Sequence, residues 1–493
     1  MSLADVDRTP VVSPAAPVTH DGIGEPALGK LAAQVARRIE AEVVQRGWPV
    51  GESLGSEPDL RVRHGVSRSV LREAVRLVEH HQVARMRRGP NGGLFVSAPD
   101  AGPAARAMVI YLEYVGTSVD DLMQARQLLE PLAAALAAQR VSEDGIDLLR
   151  RTLEAETDEI GDRSAEALHV VLGELSSNAV LRLFIDVLNR LTSRYAQPSA
   201  EVPRKEYRKA RAEAKRRHAE IGAAVIAGDG GRAEAQLAEY LDGVRHWMQA
   251  HRRGFAPTEE ANEGPTIERD PRAKLAEVVA GRLRDDIAAS GWPVGEVVGS
   301  EADLLARYGI SRAVLREAVR LLEYHSVARM RRGPGGGLVV ATPDPQASID
   351  TMALYLEFMK VTAGDLLTVR DAIELGMVSR VTARHDDPLI ANRLDQAVRW
   401  LSEGPVDDQD RADHFHVELA ELAGNPVLAL FLRILTELWR RHSVTDRVMV
   451  GPDAATEVKH VHRRITEAVL AGDEGLARHR MRRHLAALTE WWH

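Results

Sequence analysis

Apolar residues recur at helical spacing through most of the chain, and glycine or proline separates the periodic stretches. The first such stretch has apolar residues at four-residue steps from Leu31 to Val43 and stops at Gly47-Trp48-Pro49. This pattern predicts a helix over residues 31–46 with a defined terminator. We expect Trp48 to pack under the neighbouring helices rather than to stack on a base.

A basic amphipathic stretch follows at residues 67–79, where an apolar stripe runs beside three arginines. A short helix is predicted to precede it and to end at Gly65, and Ser67 is placed to cap the basic helix. Two short helices around a glycine turn predict a helix-turn-helix. The strand-like runs 83–88 and 94–96 flank a glycine-rich tip, which predicts a β-hairpin, or wing.

The same plan returns 244 positions later. Between residues 47–98 and 291–342, 37 of 52 positions are identical without a gap. The basic helix recurs at 311–323, and Trp292 stands where the first copy has Trp48. The chain therefore contains an internal duplication.

Residues 104–253 show helical patterns and no clear strand, which predicts a bundle of six or seven helices. The fold class is therefore mainly α, with two winged helix-turn-helix domains each followed by an all-helical bundle. The delimited helices are 121–139, 146–159, 165–177, 180–194, 204–226 and 232–251. The predicted divisions are a disordered tail (1–27), a winged helix (28–99), a helical domain (104–253), a linker (254–271), a winged helix (272–343) and a helical domain (346–493).

The composition excludes several classes of protein. The chain has no cysteine, so it has no disulfide, thiolate metal site or cysteine nucleophile. No apolar stretch approaches the length of a membrane span, and we expect a cytoplasmic protein without a membrane partner. The net charge is −8, but residues 30–98 sum to +5 and residues 274–342 to +2. Basic character is thus concentrated in the repeated segments, as a nucleic-acid contact requires.

These motifs, taken in order, resemble those of the GntR family of bacterial transcription regulators. They are a helix, Ser-Glu-x-x-Leu, Gly-Val-Ser-Arg, Val-Leu-Arg-Glu-Ala and a glycine-tipped wing. The helical segment that follows resembles the ligand-binding domain of the FadR subfamily. The resemblance covers the chain twice, outside the tail and linker, as an unusual tandem duplication.

The resemblance implies that the basic helix enters the major groove of DNA and that the wing reaches the minor groove. Arginine suits this task because its fork pairs with guanine and its charge binds phosphate. Many family members place an arginine after the glutamate of the Ser-Glu motif, where this chain has Pro58 and Ala302. The implied DNA contacts are Ser67, Arg68, Arg72, Arg88, Gly92 and Gly93, with Ser311, Arg312, Arg316, Arg332, Gly336 and Gly337.

The resemblance also implies a metal site in the second helical domain, formed by His416, His462 and His484. Three imidazoles suit a divalent cation, most readily zinc or nickel. The family's fourth ligand is commonly an aspartate at the position of Ala412, and Asp413 is a candidate replacement. The first domain keeps His169 and His218 but has Tyr240 in the third place, so we expect its metal site to be degenerate.

Two further residues are candidate effector contacts in the second domain, Arg370 and Asn425. Arg370 matches an arginine that family members turn toward a carboxylate ligand. An ion pair with Glu374, four residues away on the same helix, is an equally good interpretation. In the first domain Arg126 has the same two interpretations, an effector contact or an ion pair with Glu130.

We therefore expect a sequence-specific DNA-binding transcription regulator and no enzyme. It would be a metabolite-responsive repressor that acts as an intramolecular pseudo-dimer on an inverted-repeat operator. Its partners would be double-stranded operator DNA and a small carboxylate metabolite, with possible further self-association. Two alternatives remain open: a metal-dependent enzyme that uses the three histidines, and a nonspecific architectural DNA-binding protein.

Overall fold

The computed structural model describes residues 27–87, 89, 92–157, 164–195, 202–251, 271–331, 333, 335–343, 345–400, 409–445 and 452–489. The predicted tail and linker lie outside the described residues, except for the last residue of each. Helices dominate the described chain, which confirms the predicted fold class. No helix of these ranges has both the length and the apolar composition of a membrane span.

The first winged helix forms a compact unit of its own that ends at Ser97. Ser56 and Ser67 cap its second and third helices, and Gly65 ends the second helix at φ 64°, in the left-handed region. The predicted helix-turn-helix is therefore confirmed. Its elements are α1 (Ala27–Gln45), β1 (Ser53–Gly55), α2 (Glu57–His64), α3 (Arg68–His80), β2 (Ala84–Arg87) and β3 (Gly93–Val96).

The apolar stripe of α3 is buried and α3 packs against α1. The stripe consists of Val70, Leu71, Ala74, Val75 and Val78. Trp48 is buried as well, and its indole Nε1 donates to the carbonyl oxygen of Ser97 at 2.8 Å. The tryptophan thus packs within the winged helix, as predicted.

The wing is the antiparallel hairpin of β2 and β3, and β1 adds a third strand in the order β1-β3-β2. Strand β1 was not predicted because three residues are too few to show alternation. A Cβ on Gly93 would lie only 2.7 Å from the carbonyl oxygen of Gly55 on β1. The sheet itself therefore requires glycine at this position.

The second winged helix repeats this topology, and its three strands lie in the same spatial order as those of the first. Gly337 repeats the close approach of Gly93, because a Cβ there would collide with the carbonyl oxygen of Gly299. The elements are α11 (Pro271–Ala289), β4 (Val297–Gly299), α12 (Glu301–Tyr308), α13 (Arg312–Tyr324), β5 (Ala328–Arg331) and β6 (Gly337–Val340).

Each helical domain contains seven helices among its described residues. The first has α4 (Ala101–Tyr114), α5 (Val119–Arg140), α6 (Glu143–Ala155), α7 (Ser164–Leu175), α8 (Ala179–Tyr195), α9 (Arg204–Ile226) and α10 (Gly230–Ala250). The second has α14 (Pro345–Phe358), α15 (Ala363–Thr382), α16 (Pro388–Trp400), α17 (Gln409–Leu422), α18 (Pro426–Thr445), α19 (Pro452–Leu470) and α20 (Glu474–Thr489).

Some helix boundaries differ from the predicted ones because a capping residue or the burial pattern sets where the helix begins. Helix α6 begins three residues earlier than predicted because Ser142 caps it. Helix α4 was not delimited in advance because Met108, Val109 and Ile110 are buried in succession, so its pattern has no polar face.

One hydrophobic core is shared by the two helical domains, within the unit that starts at Ala98, and a second core belongs to the first domain alone. At the centre of the shared core the rings of Phe184 on α8 and Phe431 on α18 stack, with centroids 3.9 Å apart and planes at 9°. These two phenylalanines occupy equivalent places in the duplicated sequence. A residue that packs on its own counterpart marks the axis of a two-fold interface.

Asn178 and Asn425 confirm this pseudo-symmetry. The amide nitrogen of Asn178 donates to the carbonyl oxygen of Asp365 at 3.0 Å, and that of Asn425 donates to the carbonyl oxygen of Asp121 at 3.0 Å. Each asparagine also caps the helix that follows it through its Oδ1 atom. The chain therefore builds internally an interface of the kind that joins two identical subunits.

The second winged helix also contacts the first helical domain. Ile110 of α4 belongs to the core of that winged helix, and the ring of Tyr114 meets Trp292 edge to face, with centroids 5.7 Å apart. A helix from the first half of the sequence thus packs against the winged helix of the second half.

Candidate nucleic-acid interface and metal centre

Helices α3 and α13 present matching basic faces to solvent. Arg68, Arg72 and Arg76 are exposed on α3, and the corresponding arginines are exposed on α13. The Arg68 Nε atom lies 2.6 Å from Glu57 Oε1, whereas Arg312 Nε lies 3.6 Å from Glu301 Oε1. Exposed ion pairs of this kind are weak, so they leave the arginines available for a polyanion.

The wing glycines have two different environments. Gly93 and Gly337 are buried against β1 and β4, so the sheet alone accounts for their lack of a side chain. Gly92 and Gly336 are partly exposed at the tip, where each amide nitrogen donates to a glycine carbonyl. Contact of these glycines with DNA stays a prediction, and Arg88 and Arg332 lie outside the described residues.

The three histidines of the second domain come together as predicted. His416 on α17, His462 on α19 and His484 on α20 are all buried. The Nε2 atom of His484 lies 3.2 Å from that of His416 and 3.0 Å from that of His462. Ligands of a tetrahedral zinc ion bonded at about 2.0–2.1 Å lie roughly 3.4 Å apart, close to these separations.

Glu374 fixes the orientation of one of these rings. Its carboxylate accepts from His416 Nδ1 and also from Arg370 Nε, the latter at 2.6 Å. A ring that donates through Nδ1 keeps its lone pair on Nε2, and that atom faces the other two histidines. This carboxylate–histidine arrangement is the one that positions imidazole ligands on metals.

The hydrogen-bonding requirements of the cluster favour a cation. In the neutral tautomer that donates through Nδ1, His416 accepts at Nε2 from His484, and His484 Nε2 then has no lone pair to accept from His462. The two short N–N contacts therefore share one proton at best. His462 Nδ1 is also buried without a hydrogen-bond partner among the described residues. A single cation would satisfy all three Nε2 lone pairs.

Burial keeps these ligands in the neutral form that binds metals. Burial and then the neighbouring His416 lower the pKa of His484 to about 3, and burial with the other two histidines lowers the pKa of His462 well below its ordinary value. Burial would raise the pKa of Glu374, but His416 and Arg370 outweigh it and hold the value at about 2. The site thus combines two imidazoles that burial keeps neutral, His462 and His484, with a charged carboxylate behind the third.

The predicted fourth ligand is not settled by the geometry. Asp413 belongs to α17, but its side chain lies outside the described residues. His416, His462 and His484 form the only three-residue group in the described part of the chain whose ligand atoms converge in this way.

The first domain brings its equivalent residues together differently. His169 Nδ1 lies 2.7 Å from Glu130 Oε2, which repeats the contact of His416 with Glu374. His218, however, pairs through Nδ1 with Glu156 Oε2 at 2.9 Å, and Tyr240 packs edge-on against its ring. Burial raises the pKa of Tyr240, so the phenol stays protonated and is a poor metal ligand.

The structure gives Arg370 and Asn425 roles that differ from effector contact. Arg370 forms the buried ion pair with Glu374 that was the alternative interpretation, and its guanidinium lies 5.5 Å from the ring centroid of Trp439. Asn425 uses its amide in the interface and its Oδ1 atom in capping α18. Contact of Arg370 or Asn425 with an effector stays a prediction.

Sequence reasoning missed two carboxylates of these sites. Glu374 was considered only as a partner of Arg370, since its approach to His416 joins two helices 42 residues apart. Glu156 was not singled out, because it stands 62 residues before His218 and outside any recognised motif. Spacing along one helix reveals a pair such as Arg370 and Glu374 but not a contact between helices.

Comparisons with known proteins agree with the duplicated plan. Residues 121–243 and 365–487 match the FCD domain, and residues 275–338 match the bacterial regulatory proteins of the gntR family. The HTH-type transcriptional repressor NanR of Salmonella arizonae is 29% identical over 47% of this chain and 89% of its own length. The Uxu operon regulator of Haemophilus influenzae is 28% identical over 30% of this chain and 55% of its own length.

Among solved structures, a GntR protein of Streptococcus agalactiae is 23% identical and aligns with a TM-score of 0.33. That alignment covers 44% of this chain and 99% of the other. The match to NanR spans slightly less than half of the chain, which is the length of one winged helix with its helical domain. The chain belongs to the GntR family of bacterial transcription regulators and carries two FCD domains.

Proposed function

We propose that this regulator is a repressor in which a single chain acts as an intramolecular pseudo-dimer on an inverted-repeat operator. The observation that carries the proposal is the two-fold interface of the helical domains, where Phe184 stacks on Phe431 and the two asparagines exchange equivalent hydrogen bonds. Regulators with helix-turn-helix domains read paired half-sites through such symmetry. The repressor NanR is a relative by sequence, which supports the direction of regulation.

We further propose that the second helical domain senses a small carboxylate through a divalent metal, zinc or nickel, held by His416, His462 and His484. The support is the donor set: three buried imidazoles with converging Nε2 atoms and a carboxylate behind one of them. A bound metal would supply an open coordination position for a carboxylate oxygen. The effector would release DNA by binding one conformation of the regulator more tightly than the other.

The two basic helices α3 and α13, here called the reading helices, supply the test of the DNA-binding proposal. Footprinting on the adjacent promoter would first define the operator. We expect Arg72→Ala and Arg316→Ala each to weaken operator binding by about 1–3 kcal/mol, the worth of one good bidentate contact with a base. Arg150→Ala is the matched control, since Arg150 is an exposed arginine of α6 in a helical domain.

Unchanged affinity in both reading-helix variants would show that α3 and α13 are not the readers. Equal affinity for operator and scrambled DNA would indicate an architectural protein instead. Turnover of a metabolite that depends on the histidine site would favour the metal-dependent enzyme.

A further inference from the structure

We infer that the two reading helices prefer different bases at one position of their half-sites, and that Ser69 and Ala313 set this difference. The inference rests on the proposed reading of paired half-sites. The exposed residues of the two helix N-termini are otherwise the same: a capping serine followed by arginines at matching positions. Ser69 and Ala313 are the exposed exception, in the first turn of each helix.

Ser69 presents a hydroxyl where Ala313 presents a methyl group. In α3 the Ser69 Oγ atom lies 2.9 Å from the Oγ atom of the capping Ser67, which itself accepts from the backbone nitrogen of Val70. In α13 the capping Ser311 accepts from Val314 in the same way, but its neighbour two residues on has no polar atom. The first helix thus carries a hydroxyl pair, and the second carries a hydroxyl beside an apolar surface.

These two surfaces suit different base edges in the major groove. The N-terminal residues of a recognition helix are those that meet the bases. A serine hydroxyl donates to or accepts from any polar edge, whereas an alanine methyl gains by contact with the C5-methyl group of thymine. Burial of one methyl-sized group corresponds to about a fourfold change in affinity. The half-site under α13 should therefore carry thymine at this position, and the half-site under α3 should not require it.

The wings are also unequal. The Arg87 guanidinium lies 4.4 Å from the ring centroid of Phe95, so the side chain rests on the sheet. The second wing has Val339 in place of this ring, and Arg331 donates instead to the carbonyl oxygen of Gly335 at 2.8 Å. The arginine beside each wing tip is therefore held in a different way.

An operator with two distinguishable arms has a consequence for this chain. A dimer of identical subunits reads both arms alike and binds in either direction. Here the two readers are parts of one polypeptide, and a base preference at one arm gives the complex a direction. The difference between Ser69 and Ala313 would orient the chain on its operator.

Selection of duplexes from a random pool by the full chain tests this inference. We expect the selected sequence to be an inverted repeat whose arms differ at one position, with thymine in one arm only. Ala313→Ser should remove the preference for thymine in that arm, and Ser69→Ala should introduce thymine in the other. Val62→Ala is the matched control, because Val62 is exposed on α2 and has alanine at the equivalent position of the second copy.

The outcomes separate this inference from the proposed function. A selected sequence with two identical arms, or an asymmetry that both substitutions leave unchanged, overturns the inference while the regulator remains a sequence-specific reader. No enrichment of any sequence overturns the proposed function itself. Unchanged melting temperatures of the variants would show that their folding is intact, as expected for exposed positions.

Discussion

The two histidine clusters occupy the same place in two copies of one fold, yet only the second has a ligand set suited to a metal. Both are buried, and both place an arginine–glutamate pair behind the first histidine. They differ at the third position, which is Tyr240 in one and His484 in the other. Burial and scaffold are therefore shared, and the chemistry of the donors distinguishes the two clusters.

The first cluster shows how a buried polar site is stabilised from within the chain. Glu156 accepts from His218 Nδ1, whereas Nδ1 of the equivalent His462 in the second cluster is buried without a hydrogen-bond partner among the described residues. A buried polar group without a partner costs on the order of 1–3 kcal/mol. Within the described part of the chain the two clusters thus differ at the second histidine: His218 keeps an unsatisfied Nε2 atom but has a carboxylate on Nδ1, and His462 has no carboxylate on Nδ1.

The largest expected effect is the loss of metal on removal of one ligand. His462→Ala should lower the affinity of the chain for zinc or nickel by at least about a hundredfold, since loss even of a residue that only orients a ligand costs 10- to 100-fold. His218→Ala, the equivalent change in the first domain, should leave the metal content unchanged. Elemental analysis of undenatured protein measures both. Equal metal in the two variants would remove the distinction between the clusters.

The reverse change should build a second site. Tyr240→His gives the first domain three histidines, and we expect the metal content to rise from one ion per chain to two. Titration with zinc in the presence of a chelating indicator would count the sites. If the count stays at one, the hydrogen bond of His218 with Glu156, and not the missing imidazole, separates the two clusters.

A smaller effect is expected from the carboxylate behind the first histidine. Glu374→Gln should weaken metal binding about 10- to 100-fold because it no longer fixes the His416 ring. Glu130→Gln should leave metal binding unchanged. Both should lower the melting temperature of the metal-free protein, since each leaves a buried arginine without its charged partner. Equal metal affinities in the two variants would show that Glu374 only pairs with Arg370 and does not position His416.

The smallest effect concerns pH. Because the pKa of His484 is lowered to about 3 and that of His462 is lowered well below its ordinary value, protons do not compete for these two ligands near neutrality. Metal affinity of the folded chain should therefore fall less between pH 7 and pH 5 than that of a site whose three ligands all titrate at the ordinary value. Two ligands that titrate at the ordinary value near 6.5 would instead lose roughly tenfold each per unit below it.

The lowered pKa values of His462 and His484 also make the folded chain less stable as the pH falls. The unfolded chain takes up protons on these histidines below about pH 6.5, whereas the folded chain takes them up only at much lower pH. Their contribution to the unfolding free energy is therefore present above about pH 6.5 and is lost as the pH falls toward 3. His484→Tyr should reduce this loss, and calorimetry of metal-free protein across the range would measure it.

The sequence predicted the parts of the molecule that depend on local patterns. The cap at Ser67, the turn at Gly65 and the stripe of α3 all follow from residues that are close in the chain. The gathering of His416, His462 and His484 was predicted from family resemblance. Contacts between distant segments, such as Glu156 with His218 or Trp292 with Tyr114, have no periodic signal, so no pattern could indicate them.

The contact of Trp292 with Tyr114 bears on how the duplicated chain can be divided. A cut between His251 and Pro271 would separate two segments that each resemble a complete regulator. The second would lose Ile110 and Tyr114 from beneath its winged helix, and both would expose the face around Phe184 and Phe431. Two such fragments, made separately, should behave as complementary pieces of one protein and regain a stable fold on mixing.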